Sequence, residues 1–362
     1  MKKILIFSLV FFFAGAYLNA QNETPAPTLA FSGYAEPYYS YDFNNPKADG
    51  NRPAFFYAYN RHNEFNIHLG MLKANYAAQS VRANAAIAAG TYMNANYAAE
   101  PGVLKNILEM NAGLRLSKKH ELWLDAGVFG SHIGFESAIG KDCRTLTRGI
   151  LAENSPYYEA GVKVTCNSPD GKWVMSGLVL NGWQRIQRVA GNSLPSFGTQ
   201  VQFKPSEKVV LNSSTFIGTD KPDTLRQMRY FHNFYGIFQL NERWEATLGF
   251  DFGWEQTRPE SSDYHTWYTP VVILRYAASD KSAVAIRAEY YRDKNGVIIA
   301  TGTPKGFGVL GLSLNFDYAV LPNAMWRLEG RFLNSSDDPI FQRDGKAVKT
   351  NAFVTTSIAV SF

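Results

Sequence analysis

Along most of the chain, apolar and polar residues alternate one by one. Trp244, Ala246, Leu248, Phe250, Phe252 and Trp254 share one parity, and Glu245, Thr247, Gly249, Asp251, Gly253 and Glu255 share the other. Side chains on a strand point alternately to its two faces, so this segment predicts a strand with one apolar and one polar face. Its length suits the roughly 9–11 residues a tilted strand needs to cross a bilayer. Leu310, Leu312, Leu314, Phe316 and Tyr318 oppose Gly311, Ser313, Asn315 and Asp317 in the same way, and Trp326, Leu328 and Phe332 oppose Arg327, Glu329 and Arg331. Aromatic residues collect at the ends of the apolar faces, with Trp244 and Trp254 on one segment and Tyr268 and Tyr276 on the next. Rings with a polar tip suit a membrane–water boundary.

Tight polar turns are predicted near Ala77-Ala78, Lys118-Lys119, Pro169-Asp170-Gly171, Pro205-Ser206, Asn241-Glu242, Asp280-Lys281 and Pro322-Asn323. Between them lie longer loops rich in Gly, Asn, Asp and Pro, such as 44–53, 218–227 and 334–349. With the first and last strands added, the spacing predicts a transmembrane antiparallel up-and-down β-barrel of about sixteen strands, with a margin of two either way. An even count returns both termini to the side of the short turns. A soluble sandwich also alternates, but these strands are long for one. A propeller would need four short strands in each repeat of about forty residues, where this chain has two long ones.

The first twenty residues read differently. Lys2 and Lys3 precede an apolar run from Ile4 to Leu18, and the small residue Ala20 follows, which is the pattern of a cleaved signal peptide. The run is too short for a spanning helix. The expected organisation is therefore a signal peptide at 1–20, a short periplasmic segment at 21–28, and one barrel at 29–362 with a long loop inserted at about 131–155.

Composition narrows the class. The chain has 362 residues, 46% of them hydrophobic and 14% aromatic, with only 19% charged and two cysteines. That excludes a disordered chain and a disulfide scaffold. The formal net charge is +5, to which Lys2 and Lys3 contribute two, too little to suggest nucleic acid as a partner. Mean hydropathy is −0.22 and no later apolar run reaches spanning length, which argues against a helical membrane protein but not against a barrel. Cys143 and Cys166 are expected as free thiols, because Cys166 lies on the apolar parity of its strand.

The segments Gly130-Ser131-His132-Ile133-Gly134-Phe135-Glu136 and Glu153-Asn154-Ser155-Pro156-Tyr157-Tyr158-Glu159 resemble the outer-membrane β-barrel porins of the OmpL-like type. So do Gly33-Tyr34-Ala35-Glu36-Pro37-Tyr38-Tyr39 and Asn63-Glu64-Phe65, and the resemblance runs from about residue 29 to the C-terminus. It implies a water-filled channel in the outer membrane of a Gram-negative bacterium, passing small hydrophilic solutes or ions by diffusion. Its partners would be outer-membrane lipids and, during biogenesis, the barrel-assembly machinery. No cofactor, metal or covalent chemistry is expected, and a homotrimer is left open. The alternatives are a closed barrel presenting its loops for adhesion or a partner complex, and an outer-membrane hydrolase, for which no local motif speaks.

Three groups of residues are candidates for function. The loop at 131–155 carries Glu136, Lys141, Asp142, Arg144, Arg148 and Glu153. In general porins the third long loop folds inward, so by resemblance these residues would line a constriction whose two charge signs set a transverse field. Charges facing lipid at mid-depth cost a few kcal/mol each, so Arg287, Arg327, Glu329 and Arg331 are expected on the lumenal wall. If the arginines face the third loop across the pore, they would make a basic wall opposite Glu136, which the sequence leaves open. At the end of the chain Val354, Thr356, Ile358, Val360 and Phe362 share a parity. Ile358, Val360 and the terminal Phe362 resemble the signal read by the assembly machinery. Gly306-Phe307-Gly308-Val309-Leu310-Gly311 matches a nucleotide-binding spacing, but an alternating strand follows it where that fingerprint needs a helix.

Overall fold

A computed structural model describes residues 26–46 and 51–362. The expected signal peptide and most of the short segment after it lie outside the described residues. Sixteen strands form one closed antiparallel barrel: β1 (Thr28–Asp42), β2 (Phe65–Ala77), β3 (Val81–Ala89), β4 (Ile107–Arg115), β5 (Glu121–Gly130), β6 (Tyr158–Asn167), β7 (Trp173–Leu180), β8 (Ser196–Ser206), β9 (Val209–Gly218), β10 (Arg229–Gln239), β11 (Trp244–Gln256), β12 (Tyr264–Ala277), β13 (Ser282–Asp293), β14 (Phe307–Leu321), β15 (Ala324–Ser335) and β18 (Thr350–Ser361). Each strand pairs with its neighbours in sequence, and β1 closes on β18. The last long loop holds one further hairpin, β16 (Phe341–Arg343) and β17 (Lys346–Val348). Its turn residues Asp344 and Gly345 both have positive φ (49° and 78°), as a two-residue hairpin turn requires.

The alternation decides which face meets lipid. Leu248, Phe250, Leu312, Leu314 and Ile286 are exposed on the outer surface, whereas Thr247, Asp251, Asn315 and Arg287 are buried inside. With no water in the bilayer core, a sheet must close so that every backbone group is paired. Rings mark both rims of the outer face: Trp244 packs on Tyr276 at 4.7 Å at one end, and Tyr230 stacks on Trp254 at 5.5 Å at the other. The prolines fall where a ladder bond is missing. The β1–β2 register shifts between Glu36 and Pro37, a bulge that accommodates a residue without an N–H.

Short turns, such as the one between Leu321 and Ala324, lie at the end of the barrel that holds the termini. The eight longer connections lie at the other end, which is the extracellular side of an outer-membrane barrel. Among the described residues no helix is long and apolar enough to cross a membrane, so the crossing is made by strands. The interior is not uniformly polar. Near the long loops Phe231, Trp267, Phe307, Leu333 and Phe353 point inward and pack with Phe55 and Ile150 from two of the loops. These side chains sit on the polar parity because inward-folded loops, rather than water, cover them.

Candidate functional site

The third long loop, residues 131–157, lies inside the barrel and is fastened strand by strand. At its root His132 packs against β6, β8 and β9. Its Nδ1 lies 2.8 Å from Glu159 Oε2 and its Nε2 lies 2.8 Å from the Thr215 carbonyl. Both partners are acceptors, so the imidazolium, with two N–H donors, is the form that satisfies both. Burial opposes that form, but the Glu159 carboxylate and the Thr215 carbonyl outweigh it and raise the His132 pKa. A Cβ on Gly198 would lie 2.7 Å from His132 Nε2, so the ring occupies space that only glycine leaves. Further on, Gly134 N–H donates to Asn233 of β10 at 3.1 Å and Leu146 N–H donates to Asn315 of β14 at 2.9 Å. Arg144 pairs with Glu245 of β11, and Ile150 N–H, which opens the short helix Ile150–Glu153, donates to Glu289 of β13 at 2.6 Å.

The arginines of β13 and β15 hold the middle of the loop. Arg287 donates to Thr145 Oγ1 at 2.8 Å and to the Thr147 carbonyl at 2.7 Å, and pairs with Glu329 at 2.8 Å. Arg327 pairs with Asp317 at 2.7 Å and donates to the carbonyls of Gly140 at 2.6 Å and Cys143 at 3.0 Å. Arg331 donates to the Arg148 carbonyl at 2.7 Å and pairs with Glu289. All three side chains are wholly buried. They therefore make no basic wall facing Glu136 across an open pore, an arrangement the sequence leaves open. The loop lies directly on them, and Arg287 comes within 3.8 Å of Glu136 itself. The physical reason is that three guanidiniums bring many donors, and a loop with many free carbonyls satisfies them better than a thin film of water.

Within the loop the charged residues divide. Glu136 is buried and accepts from Gly149 N–H at 2.8 Å. Arg148 is also buried and donates to the carbonyls of Ser137 and Leu146 at 2.7 and 2.6 Å, stapling the loop to itself. Glu153 accepts from the backbone of the first long loop, at 3.0 Å from Tyr57 N–H and 3.2 Å from Ala58 N–H. Burial pushes the Glu153 carboxyl up to about 7 against these bonds. Lys141 and Asp142 are exposed, with Lys141 Nζ 3.0 Å from Ser361 Oγ. Cys143 is buried in the loop with no disulfide, and Cys166 is also free.

The opposite wall is different in kind. Lys73 pairs with Glu109 across β2–β4, and Arg82 pairs with Asp125 across β3–β5. Asn84 donates to Asn111 at 3.0 Å, and Asn111 donates to Glu109 at 3.2 Å. Lys163 of β6 has no ion pair among the described residues, and its Nζ lies 4.6 Å from the centre of the Phe129 ring. These groups bond to one another and leave the loop alone, and the Lys73, Glu109 and Arg82 side chains keep 20–34% of their surface exposed. A space of about 370 Å³ bounded by Glu109, Tyr235, Phe135 and Ile139 lies between this wall and the loop. A second, of about 450 Å³, is bounded by Lys73, Asn75, Ile139 and Lys141 toward the termini. Sequence reasoning missed Lys73, although Leu72, Ala74 and Tyr76 on one parity and Asn75 on the other would have placed it inside.

A closed sixteen-stranded barrel with its third long loop folded into the lumen is the architecture of an outer-membrane porin. The chain belongs to the family described as "Putative beta-barrel porin-2, OmpL-like", which matches residues 28–362. No curated protein sequence matches it. Among solved structures, it is similar to an anion-selective porin from Comamonas acidovorans, with 9% identity, a TM-score of 0.61, and coverage of 93% of this chain and 100% of that one. It is also similar to OmpF of Salmonella typhi, with 10% identity, a TM-score of 0.59, and coverage of 92% and 97%. A trimer form of OmpT from Vibrio cholerae matches with 9% identity, a TM-score of 0.56, and coverage of 93% and 100%. At such identities the likeness is one of fold. The protein is a multi-pass β-barrel of the outer membrane.

Proposed function

We propose that the protein is a non-catalytic porin whose solutes pass between the third long loop and the wall of β2–β6. The observation that carries this reading is the difference in wetness between the two walls. The arginines of β13 and β15 are sealed by the loop, whereas Lys73, Glu109 and Arg82 retain access to water. The loop constricts the lumen, with Arg148 and Glu136 fixing its shape. The charges that meet a passing solute are those of the opposite wall and the exposed Lys141 and Asp142. Lys73, Arg82 and Lys163 against Glu109 and Asp125 leave a small positive excess, which favours anions modestly.

Single-channel current across a planar bilayer tests the proposal. Expected are stable steps with a weak anion preference in a salt gradient. Silence from protein verified as folded would remove the channel reading and favour a closed barrel that displays its loops. The apolar cluster at the mouth is the feature that supports that second reading. Two further assignments accompany the first. Ala74, Ala83, Ala85, Ala112 and Ala126 line a shallow groove on the outer face of β2–β5, which suits close packing of a second and third copy in a homotrimer. Ile358, Val360 and Phe362 lie on the outward-facing parity of the last strand, and the backbone groups of Phe362 that bond Gly33 in the closed barrel would be free to pair with a recognition partner before closure.

A further inference from the structure

Two spaces in the lumen meet at one residue of the third long loop. The space of about 370 Å³ beside Glu109 and Tyr235 and the space of about 450 Å³ beside Lys73 and Lys141 share Ile139 and, among the described residues, no other. On the wall the same boundary is spanned by an ion pair, since Lys73 borders one space, Glu109 borders the other, and the two pair with each other. Both side chains keep 20–26% of their surface open to water, so a solute can reach them. The junction therefore has hydrocarbon on the loop side and wet charge on the wall side. The backbone on either side of Ile139 is anchored. Before it, Arg148 donates to the carbonyls of Ser137 and Ala138 at 2.7 and 3.2 Å. After it, Arg327 donates to the Gly140 carbonyl at 2.6 Å, and Lys141 N–H donates to the Tyr34 hydroxyl of β1 at 3.3 Å. Gly140 can approach β1 this closely because it lacks a side chain: a Cβ there would lie 2.5 Å from Glu36 Oε2 and 2.7 Å from the Tyr59 hydroxyl. Ile139 N–H donates to Ser137 Oγ at 3.0 Å, and its carbonyl accepts from Asp142 N–H at 3.2 Å. Its side chain is half-buried and, branched at Cβ, has little freedom about χ1.

We propose that Ile139 sets the exclusion size of the channel, as the side chain a solute passes between the two spaces. The inference rests on the reading that solutes run between the third loop and β2–β6. A size filter has to be rigid, and both the backbone anchors and the branched side chain make this one so. On the wall side, Lys73 and Glu109 offer a donor and an acceptor to a hydroxyl or to a hydrating water, so a polar solute keeps partners there. Ile139 offers none and carries no charge, so it acts by bulk alone. Its substitution should therefore move the size limit and leave the preference between anions and cations where it was.

The test uses the full chain folded in detergent, with single-channel current in planar bilayers and liposome swelling in arabinose, sucrose and raffinose. Ile139→Ala should raise the unit current roughly twofold and speed sucrose entry relative to arabinose, and Ile139→Trp should lower the current by roughly the same factor and exclude sucrose. The reversal potential in a salt gradient should match the wild type in both. Each variant is compared only after its unfolding midpoint shows it folded. A merely structural role would loosen the loop in both variants and make both currents larger and noisier, so the opposite directions are what identify a size filter. Currents that ignore both substitutions, currents that rise with both, or a reversal potential that moves would each overturn the assignment while a conducting wild type keeps the porin reading. Silence from the folded wild type would remove that reading and the assignment with it.

Discussion

The barrel has two inner walls built from the same kinds of residue and used in opposite ways. On β13–β15, Arg287, Arg327 and Arg331 face Glu289, Asp317 and Glu329, and the third loop supplies carbonyls that complete the network. On β2–β6, Lys73, Arg82 and Lys163 face Glu109 and Asp125, and nothing from the loop joins them. Ion pairs without solvent are rigid and sensitive to the loss of either partner, whereas wet pairs contribute little to stability. The first wall therefore fixes the loop, and the second is left to act on solutes. Substitutions that break the contrast should affect stability on one wall and selectivity on the other.

The largest effect is expected from Arg327→Met. It leaves Asp317 with Asn315 but without its ion-pair partner, and frees the carbonyls of Gly140 and Cys143 together. Removing one member of a buried pair typically costs about 3–5 kcal/mol. The guanidinium unfolding midpoint of the folded protein should fall accordingly, and its channel steps should become larger and noisier as the loop loosens. An unchanged midpoint would mean that the loop is not held by this wall.

Next comes the dependence on pH. The Glu153 carboxyl is raised from its ordinary 4.5 to about 7, so the folded protein holds a proton that the unfolded chain releases. The stability this contributes is fully present below pH 4.5 and is lost as pH rises through 7. The difference is on the order of 3 kcal/mol. His132, whose pKa is also raised, acts in the same sense: its contribution is complete below its ordinary 6.5 and declines at higher pH. Both groups bind the third loop, one to the first long loop and one to the barrel wall. Protease accessibility of residues 131–157 should therefore increase from pH 5 to pH 8, and Glu153→Gln should flatten most of that change.

A smaller effect is expected where the loop leaves β5. Gly198→Ala places a methyl 2.7 Å from His132 Nε2, against a ring held on both nitrogens. Overpacking of this kind typically costs about 1–3 kcal/mol. The midpoint should drop by that amount, and the part of the pH dependence that Glu153→Gln leaves behind should disappear. Retention of that residual slope would assign it to another group.

Much of this architecture is legible in the sequence because lipid enforces a simple rule. Leu248, Phe250 and Phe252 must face out, so Thr247, Asp251 and Gly253 face in, and the seven turns follow from where the alternation breaks. The same rule is enough to put Arg287, Arg327 and Arg331 on the inner surface. It cannot say what they touch. The carbonyls that Arg327 reaches lie more than 180 residues earlier in the chain, and backbone acceptors leave no mark in residue type. His132 reads as an isolated histidine until Glu159, Thr215 and Gly198 are seen around it. The apolar residues inside the mouth left a fainter sign, since Trp267, Phe307 and Phe353 stand on the polar parity at the loop-proximal ends of their strands.

The smallest energetic effect belongs to the wet wall, and it is the one that defines function. Lys163 has no ion pair among the described residues, so Lys163→Glu, which sets a carboxylate opposite Asp125, should lower the unfolding midpoint only modestly. A unit charge at about 10 Å in water contributes on the order of 0.4 kcal/mol to the energy of a passing ion. Reversing its sign moves the anion and the cation by about 0.8 kcal/mol each in opposite directions, so the anion-to-cation balance changes by about 1.6 kcal/mol, roughly fifteenfold. The reversal potential in a salt gradient should move toward cation preference, and the shift should shrink as salt rises, because salt in the lumen screens the charge. Arg331→Gln on the opposite wall should do the reverse: a lower midpoint, with selectivity little altered. If instead Arg331→Gln moved the reversal potential and Lys163→Glu did not, solutes would pass along β13–β15, and the roles of the two walls would have to be exchanged.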